Sequence, residues 1–169
     1  SEYRATERVT AEFGASDETV DIDRITRLAD EQMQSWFFWH YGGWGDPTGA
    51  APVQGLFTDD LDRSTLKPDK ADVLFRTYPQ AIAGVPLRYG FDRTRADRRF
   101  DMTWIPDLRI AQPTEVHVPA RHYPGGYDVV VTGPVRVTSA PDARMLTIVN
   151  TGARGAARVI VVRRGAALA

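Results

Sequence analysis

The sequence predicts an α/β segment followed by an all-β antiparallel sandwich, mostly β overall, and three observations carry that class. Up to about Tyr41 a β-rich run, a helical periodicity and a second β-rich run follow one another. From Gly45 to about Asp69 the chain turns rich in Gly, Pro, Asp and Thr, the composition of a loop or linker. Beyond Lys70, short β-rich runs bounded by turn residues recur about every ten residues, the habit of an antiparallel sandwich. The expected division is 1–66 and 67–169.

The first element is Val9 to Phe13, stopped by Gly14. Ser16, Asp17 and Thr19 then offer N-cap oxygens, and Asp17, Glu18 and Asp21 suit the positive end of a helix dipole. Ile22, Ile25, Leu28, Ala29 and Met33 recur at spacings of three and four, which predicts a helix over about Thr19 to Met33 with one apolar face. Ser35 to Tyr41 is too aromatic for a solvent-facing strand and suits one covered on both sides, ended by Gly42-Gly43. Strand, helix and buried strand make a βαβ unit with parallel pairing and a right-handed crossover. A turn of helix is expected near Asp59 to Leu61.

The β-rich runs of the second half are Val73–Thr77, Pro86–Asp92, Phe100–Ile105, Glu115–Val118, Tyr127–Thr132, Val135–Ser139, Met145–Val149 and Arg158–Val162. Leu87, Tyr89 and Phe91 alternate with Arg88, Gly90 and Asp92, and Val129 and Val131 with Val130 and Thr132, so these strands should have one wet face. Tyr78, Tyr89, Phe91, Phe100 and Trp104 read as sandwich core in preference to a sugar-binding platform.

Composition excludes several function classes. The chain has 169 residues, short of the roughly 250 that a whole (β/α)₈ barrel needs. A formal charge of −1 gives no general attraction to nucleic acid, and no nucleic-acid partner is expected. The absence of cysteine removes disulfides, thiolate nucleophiles and cysteine-based metal sites. His117 and His122 are five apart across Pro119, a poor spacing for zinc, so no metal and no cofactor are expected. No phosphate loop, dinucleotide fingerprint or Gly-x-Ser-x-Gly elbow occurs. No apolar stretch of 18 residues is present and Ser1 to Thr10 lacks an apolar h-region, so the chain as it stands should neither span a membrane nor carry its own export signal. Arg93, Arg95, Arg98 and Arg99, interleaved with Asp92, Asp97 and Asp101, read as the solvated rim of a hairpin, with a lipid-headgroup contact as the alternative.

The chemistry-bearing candidate is Glu12, at the C-terminal end of the first strand, where parallel α/β architectures collect catalytic groups. A solvent-exposed strand-end glutamate is the plain alternative. Ala11-Glu12-Phe13-Gly14, the acid-rich helix start and Ser35-Trp36-Phe37-Phe38-Trp39-His40-Tyr41 together resemble strand 7, helix 7 and strand 8 of retaining clan-A glycosidases of family 5. Lys67-Pro68-Asp69-Lys70 leading into residues 73–84, then Thr114 to Pro119 and Tyr123-Pro124-Gly125-Gly126-Tyr127, look like the junction and C-terminal β-sandwich of the endoglycoceramidases and their glycosylceramide- or sterylglucoside-cleaving relatives. Thr77 departs from the proline of an Arg-Pro-Tyr-Pro form.

The resemblance implies that 1–66 is the C-terminal part of a (β/α)₈ barrel plus linker, that 67–169 is the sandwich, and that the chain is a piece of a larger enzyme. It implies Glu12 as the nucleophile, Trp39 as a wall of the sugar site, and Trp36, His40 and Trp44 as further substrate-binding candidates, core packing being the rival role for Trp36, Trp39 and His40. The acid/base residue of the family is the glutamate of an Asn-Glu pair, and Asn150, the one asparagine, is followed by Thr151. The expected activity of the parent is therefore retaining hydrolysis of a glycolipid, with an endoglycoceramidase-like release of glycan from ceramide first and a glucosylceramide- or sterylglucoside-specific β-glucosidase second. This chain alone should be inactive, and a non-catalytic sandwich serving as a structural or ligand-binding module is the rival of another class. The expected partners are a glycolipid or glycoside, the remainder of the enzyme that completes the barrel, and a membrane surface touched peripherally. A secreted or cell-surface location is expected for the parent.

Overall fold

The structure, a computed structural model, describes residues 9–14, 16–41, 54–59, 61–152 and 154–166. It divides into two compact units, Ser1–Leu74 and Phe75–Ala169.

In the first unit, β1 (Val9–Phe13) and β2 (Ser35–Phe38) pair in parallel, with Val9 opposite Ser35 and Phe13 opposite Phe38. The connection is α1 (Thr19–Glu31), so the expected βαβ unit is present. Ser16 Oγ accepts the Glu18 amide N–H at 2.9 Å, a local turn bond that leads into the helix, while Asp17 is drawn away to two lysines. The buried face of α1 differs from the expected stripe: Ile22 and Ala29 are buried, but Thr26, Asp23 and Asp30 share the face while Leu28 is half exposed. Thr26 satisfies its hydroxyl on the Asp23 carbonyl at 3.0 Å, and Asp23 pairs with Arg27 one turn on. Met33 lies beyond the helix end at φ 52°, so helical periodicity no longer applies to it. The expectation that β2 is covered on both faces is corrected too. Trp36 and Phe38 are half buried, with Phe13 packed edge-on against both, whereas Ser35 and Phe37 are exposed, Phe37 by 65%.

After the described segment 54–59 comes a 3₁₀ turn, Arg63–Thr65, whose Asp62 carboxylate accepts the Ser64 amide N–H at 2.8 Å. The turn of helix expected at Asp59 to Leu61 is thus found a few residues later, Asp60 itself lying outside the described residues. Then α2 (Pro68–Leu74) begins with Pro68, whose fixed φ and missing N–H suit a first helical position, and Asp69 favours the dipole there. This helix corrects the strand expected from Val73 to Thr77. Val73 and Ala71 are buried on its inner side, and the expected division between Leu66 and Lys67 precedes it, whereas the first compact unit includes it.

The second unit is a sandwich of two four-stranded antiparallel sheets. Its strands are β3 (Tyr78–Ala81), β4 (Gly84–Asp92), β5 (Arg99–Pro106), β6 (Thr114–His117), β7 (Tyr127–Thr132), β8 (Val135–Val137), β9 (Met145–Asn150) and β10 (Ala157–Arg163). One sheet runs β4-β5-β10-β7 and the other β3-β6-β9-β8. Phe91, Phe100, Met102, Trp104, Val116, Leu146, Ile148, Val159 and Val161 form the core between them. Pro79 and Pro86 sit on β3 and β4, the edge strands, where a missing N–H costs no ladder bond. Leu87 breaks the expected alternation for a structural reason. The register steps from Pro86 opposite Trp104 to Arg88 opposite Thr103, leaving Leu87 as the unpaired bulge residue, 50% exposed, while Tyr89 and Phe91 face inward. Thr77, where a proline was expected, shares a 3.0 Å hydrogen bond with the buried Tyr123 hydroxyl, which itself donates to the Arg98 carbonyl at 2.8 Å.

Candidate active-site strand end

The parallel pair in the first unit brings two chemistry-bearing segments to one end. Glu12 is the penultimate residue of β1 and its side chain is exposed. Phe13 turns the other way and packs on Trp36 and Phe38, as strand alternation requires. Its carbonyl accepts the Trp39 amide N–H at 2.7 Å, extending the pairing one residue past β2. Trp39 and Glu12 therefore flank the same C-terminal strand end. Gly14 follows at φ +107°, a conformation that suits glycine, and a Cβ there would lie 2.1 Å from Cε2 of Phe38.

Trp39 is half buried, and its indole N–H donates to the Gln54 side-chain carbonyl oxygen at 2.8 Å. The peptide bond from Trp39 to His40 is cis. His40 is buried, its ring edge-on to the Trp39 indole at 5.4 Å, and its backbone pairs on both sides with the segment around Gln54: the His40 N–H donates to the Gln54 carbonyl at 3.4 Å and the His40 carbonyl accepts the Leu56 N–H at 2.9 Å. Trp36 faces the interior of the unit beside Phe13. Trp44 lies outside the described residues.

Beside this end is a cluster that the sequence alone did not reveal. Lys70, on α2, is 2% exposed, with Nζ 2.5 Å from Oδ1 of Asp17, 3.3 Å from the carbonyl oxygens of Gln54 and Gly55, and 5.4 Å from the centre of the Phe38 ring. Lys67 reaches the same Asp17 at 2.9 Å. Burial pushes the Lys70 ammonium below its usual value, with Asp17 pulling the other way. Burial raises the Asp17 carboxyl, but the hydrogen bonds and charges of Lys70 and Lys67 outweigh it and hold that group below its ordinary value. Asp17 ties the loop after β1 to α2, and Lys70 ties both to the Gln54 turn. The sequence signal was faint, namely that Lys67 and Lys70 are the only lysines in an arginine-rich chain.

Elsewhere the sequence candidates separate. His117 packs on Tyr78 and His122 on Phe91, and among the described residues no group of three or more His, Cys, Asp or Glu side chains could hold a metal ion. The arginine-rich hairpin is tied to itself: Arg95 chelates Asp97 at 2.8 and 3.2 Å, and Arg98 donates to the Arg93 carbonyl. Among the described residues no helix is long and apolar enough to cross a membrane.

Comparison with known proteins gives a consistent result. The profile of the glycoside hydrolase family 5 C-terminal domain matches residues 76–162. Endoglycoceramidase I of Rhodococcus hoagii (strain 103S) is 38% identical over 159 residues, which is 94% of this chain and 28% of that protein. An endoglycoceramidase of Cyanea nozakii is 32% identical over 115 residues, 66% of this chain and 22% of that protein. Endo-glycoceramidase II from a Rhodococcus species, solved as a lactosyl-enzyme intermediate, superposes with a TM-score of 0.65 at 27% identity, covering 94% of this chain and 33% of that one. The sterylglucosidase 1 of Cryptococcus neoformans has a TM-score of 0.67 at 18% identity over 89% of this chain and 24% of its own, a likeness of fold alone. The chain thus spans under a third of the curated relatives it matches.

Proposed function

The chain belongs to glycoside hydrolase family 5, with its C-terminal half matching the C-terminal domain of that family, and on that premise we propose that it forms part of a retaining glycosidase acting on glycolipids. Glu12 is the nucleophile in this reading. Its carboxylate attacks the anomeric carbon as a carboxylic acid protonates the departing glycosidic oxygen, and the glycosyl-enzyme ester is then hydrolysed by water that the same group, now a base, deprotonates. The observation that carries the reading is the parallel pairing of β1 with β2, joined at its end by the Trp39 N–H on the Phe13 carbonyl, which sets Glu12 and the Trp39 indole at one strand terminus. The lactosyl-enzyme form of the structural relative supports a covalent intermediate, and the same enzyme in a ganglioside GM3 complex supports a glycolipid substrate.

Trp39 is the wall on which the sugar stacks. Trp36 packs on Phe13, which favours a core role, and buried His40 serves by holding the Gln54 segment. The acid/base carboxyl must stand about 5 to 5.5 Å from the nucleophile. With no Asn-Glu pair in the sequence, we assign it to a part of the enzyme beyond these 169 residues, which also completes the barrel. Release of the glycan from ceramide is the favoured outcome, and the lipid tail, any peripheral membrane contact and an extracellular location rest on the nature of that substrate alone.

The test is Glu12→Gln in an active enzyme containing this chain, assayed on a glycolipid. The exposed position predicts unchanged folding and a loss of turnover of several orders of magnitude. Near-normal turnover would remove Glu12 from the mechanism. Products from glycolipids bearing one, two and four sugars separate glycan release from single-glucose cleavage, and turnover by the 169-residue chain alone would refute the external acid.

A further inference from the structure

The Gln54 turn lies within the stretch that reads as a linker, yet it is one of the best-anchored parts of the first unit. Gln54 is 2% exposed although it is a polar residue in a loop, and its side-chain oxygen receives the Trp39 indole N–H at 2.8 Å. Its backbone carbonyl receives the His40 N–H and the Lys70 ammonium. Leu56 closes the other side by donating to the His40 carbonyl, and Lys70 is fixed in turn by Asp17, in the loop that follows Glu12 and Gly14. A buried amide with its own oxygen on an indole N–H restricts rotation of that indole about its side-chain torsions, because leaving the geometry would strand the buried Gln54 amide oxygen and give up the bond to the indole N–H.

We propose that Gln54 is a positioning residue for the reaction: it fixes the plane of the Trp39 indole, and the Lys70–Asp17 pair locks that plane to the loop behind the nucleophile. The proposal rests on the reading of Trp39 as the wall of the sugar site. Gln54 touches no substrate and acts through Trp39. A wall held in one plane favours the distorted sugar of the transition state over the relaxed ground state, so its loss falls on kcat more than on KM.

The experiment is a double-mutant cycle in an active enzyme containing this chain, with steady-state kinetics on a glycolipid and a melting temperature for every variant. Gln54→Leu keeps the buried volume and removes the acceptor, and it should lower kcat about tenfold with KM changed less than twofold. Gln54→Glu restores an acceptor oxygen and should recover most of the loss. Trp39→Ala should lower kcat further, and adding Gln54→Leu to it should cost nothing more, since Gln54 works only through the indole. If Trp39→Ala leaves kcat unchanged, the wall reading falls and this proposal with it. If Trp39→Ala is impaired while Gln54→Leu is normal, or if the two losses multiply, the wall stands and the positioning role is refuted. Should Gln54→Leu fail to fold, Gln54→Asn, which keeps the amide but is too short to reach the indole, takes its place in the cycle with the same expectations.

Discussion

Replacing Lys70 by methionine should destabilise the first unit by less than replacing its partner Asp17 by asparagine. Methionine occupies the space of the lysine stem, so the cavity term is small and the loss is polar. It includes the contact with Asp17, two hydrogen bonds at 3.3 Å to the carbonyls of Gln54 and Gly55, and a cation–ring contact at 5.4 Å. Asp17 is not stranded, because its side chain is 43% exposed and Lys67 remains 2.9 Å away. The orphan penalty of a broken buried pair is therefore largely avoided, and about 2 kcal/mol is expected. Asp17→Asn removes the carboxylate that offsets the charge of the 2% exposed ammonium, a loss worth about 3 kcal/mol. Burial already lowers the Lys70 value from 10.5, and losing Asp17 lowers it further. Between the folded and unfolded values the unfolded chain binds more protons, so stability in that window rises with pH. The deficit of Asp17→Asn should thus shrink as pH climbs from neutrality toward 10, whereas that of Lys70→Met should not shrink. Urea unfolding followed by indole fluorescence in a Trp104→Phe background reads the tryptophans of the first unit. A Lys70→Met deficit equal to or larger than that of Asp17→Asn, or an Asp17→Asn deficit that ignores alkaline pH, would refute the reasoning.

Gly14→Ala should cost about 2–3 kcal/mol, because φ is +107° and the new Cβ would meet the Phe38 ring beside the Glu12 strand end, and on the proposed function it should also lower the turnover of an active enzyme containing this chain; circular-dichroism melting and a glycolipid assay of that enzyme check both. In the sandwich, Arg158 grips Asp101 across β10 and β5 at 2.9 and 2.5 Å. Burial raises the Asp101 carboxyl, but hydrogen bonding by Arg158 and the charges of Arg88, Arg158 and Arg99 leave it below its ordinary 3.8. A depressed folded value means stability complete above pH 3.8 and lost as pH falls through the lower folded value. Arg158→Met should therefore cost about 1 kcal/mol at pH 7, trimmed by solvent screening at the 41% exposed arginine, and the gap to wild type should close on acidification, as denaturation curves between pH 7 and 2 would record.

The elements most legible in the sequence were those in which periodicity and punctuation agreed. Val9–Phe13 and Tyr127–Thr132 fall where their apolar runs and bounding glycines put them. Val73–Thr77 misled because Val-Leu-Phe carries a β-like composition, while the Pro68-Asp69 helix start a few residues earlier decides the local structure. Leu87 misled because a bulge shifts phase by one residue, and a bulge is a property of two strands that one strand's alternation does not record. At the strand end, Glu12 and Trp39 were singled out by chain position together with the family resemblance of the segments around them. Gln54, Asp17 and Lys70 did not, since their meaning lies in contacts across 15 to 50 residues of chain between a loop, a turn and a short helix.

The order of strands in the sandwich also bears on how the domain behaves in concentrated solution. Four strands lie at sheet edges, and an edge offers its unpaired amides to any other chain. Both β3 and β4 carry a proline and a register shift, and β8 has three residues, all features that blunt templating. β7, with six residues and the run Val129-Val130-Val131, has neither. Aggregation or strand exchange between copies of this domain would therefore begin at β7, and a lysine at Val130 is the single change that should make the sandwich more soluble without entering its core.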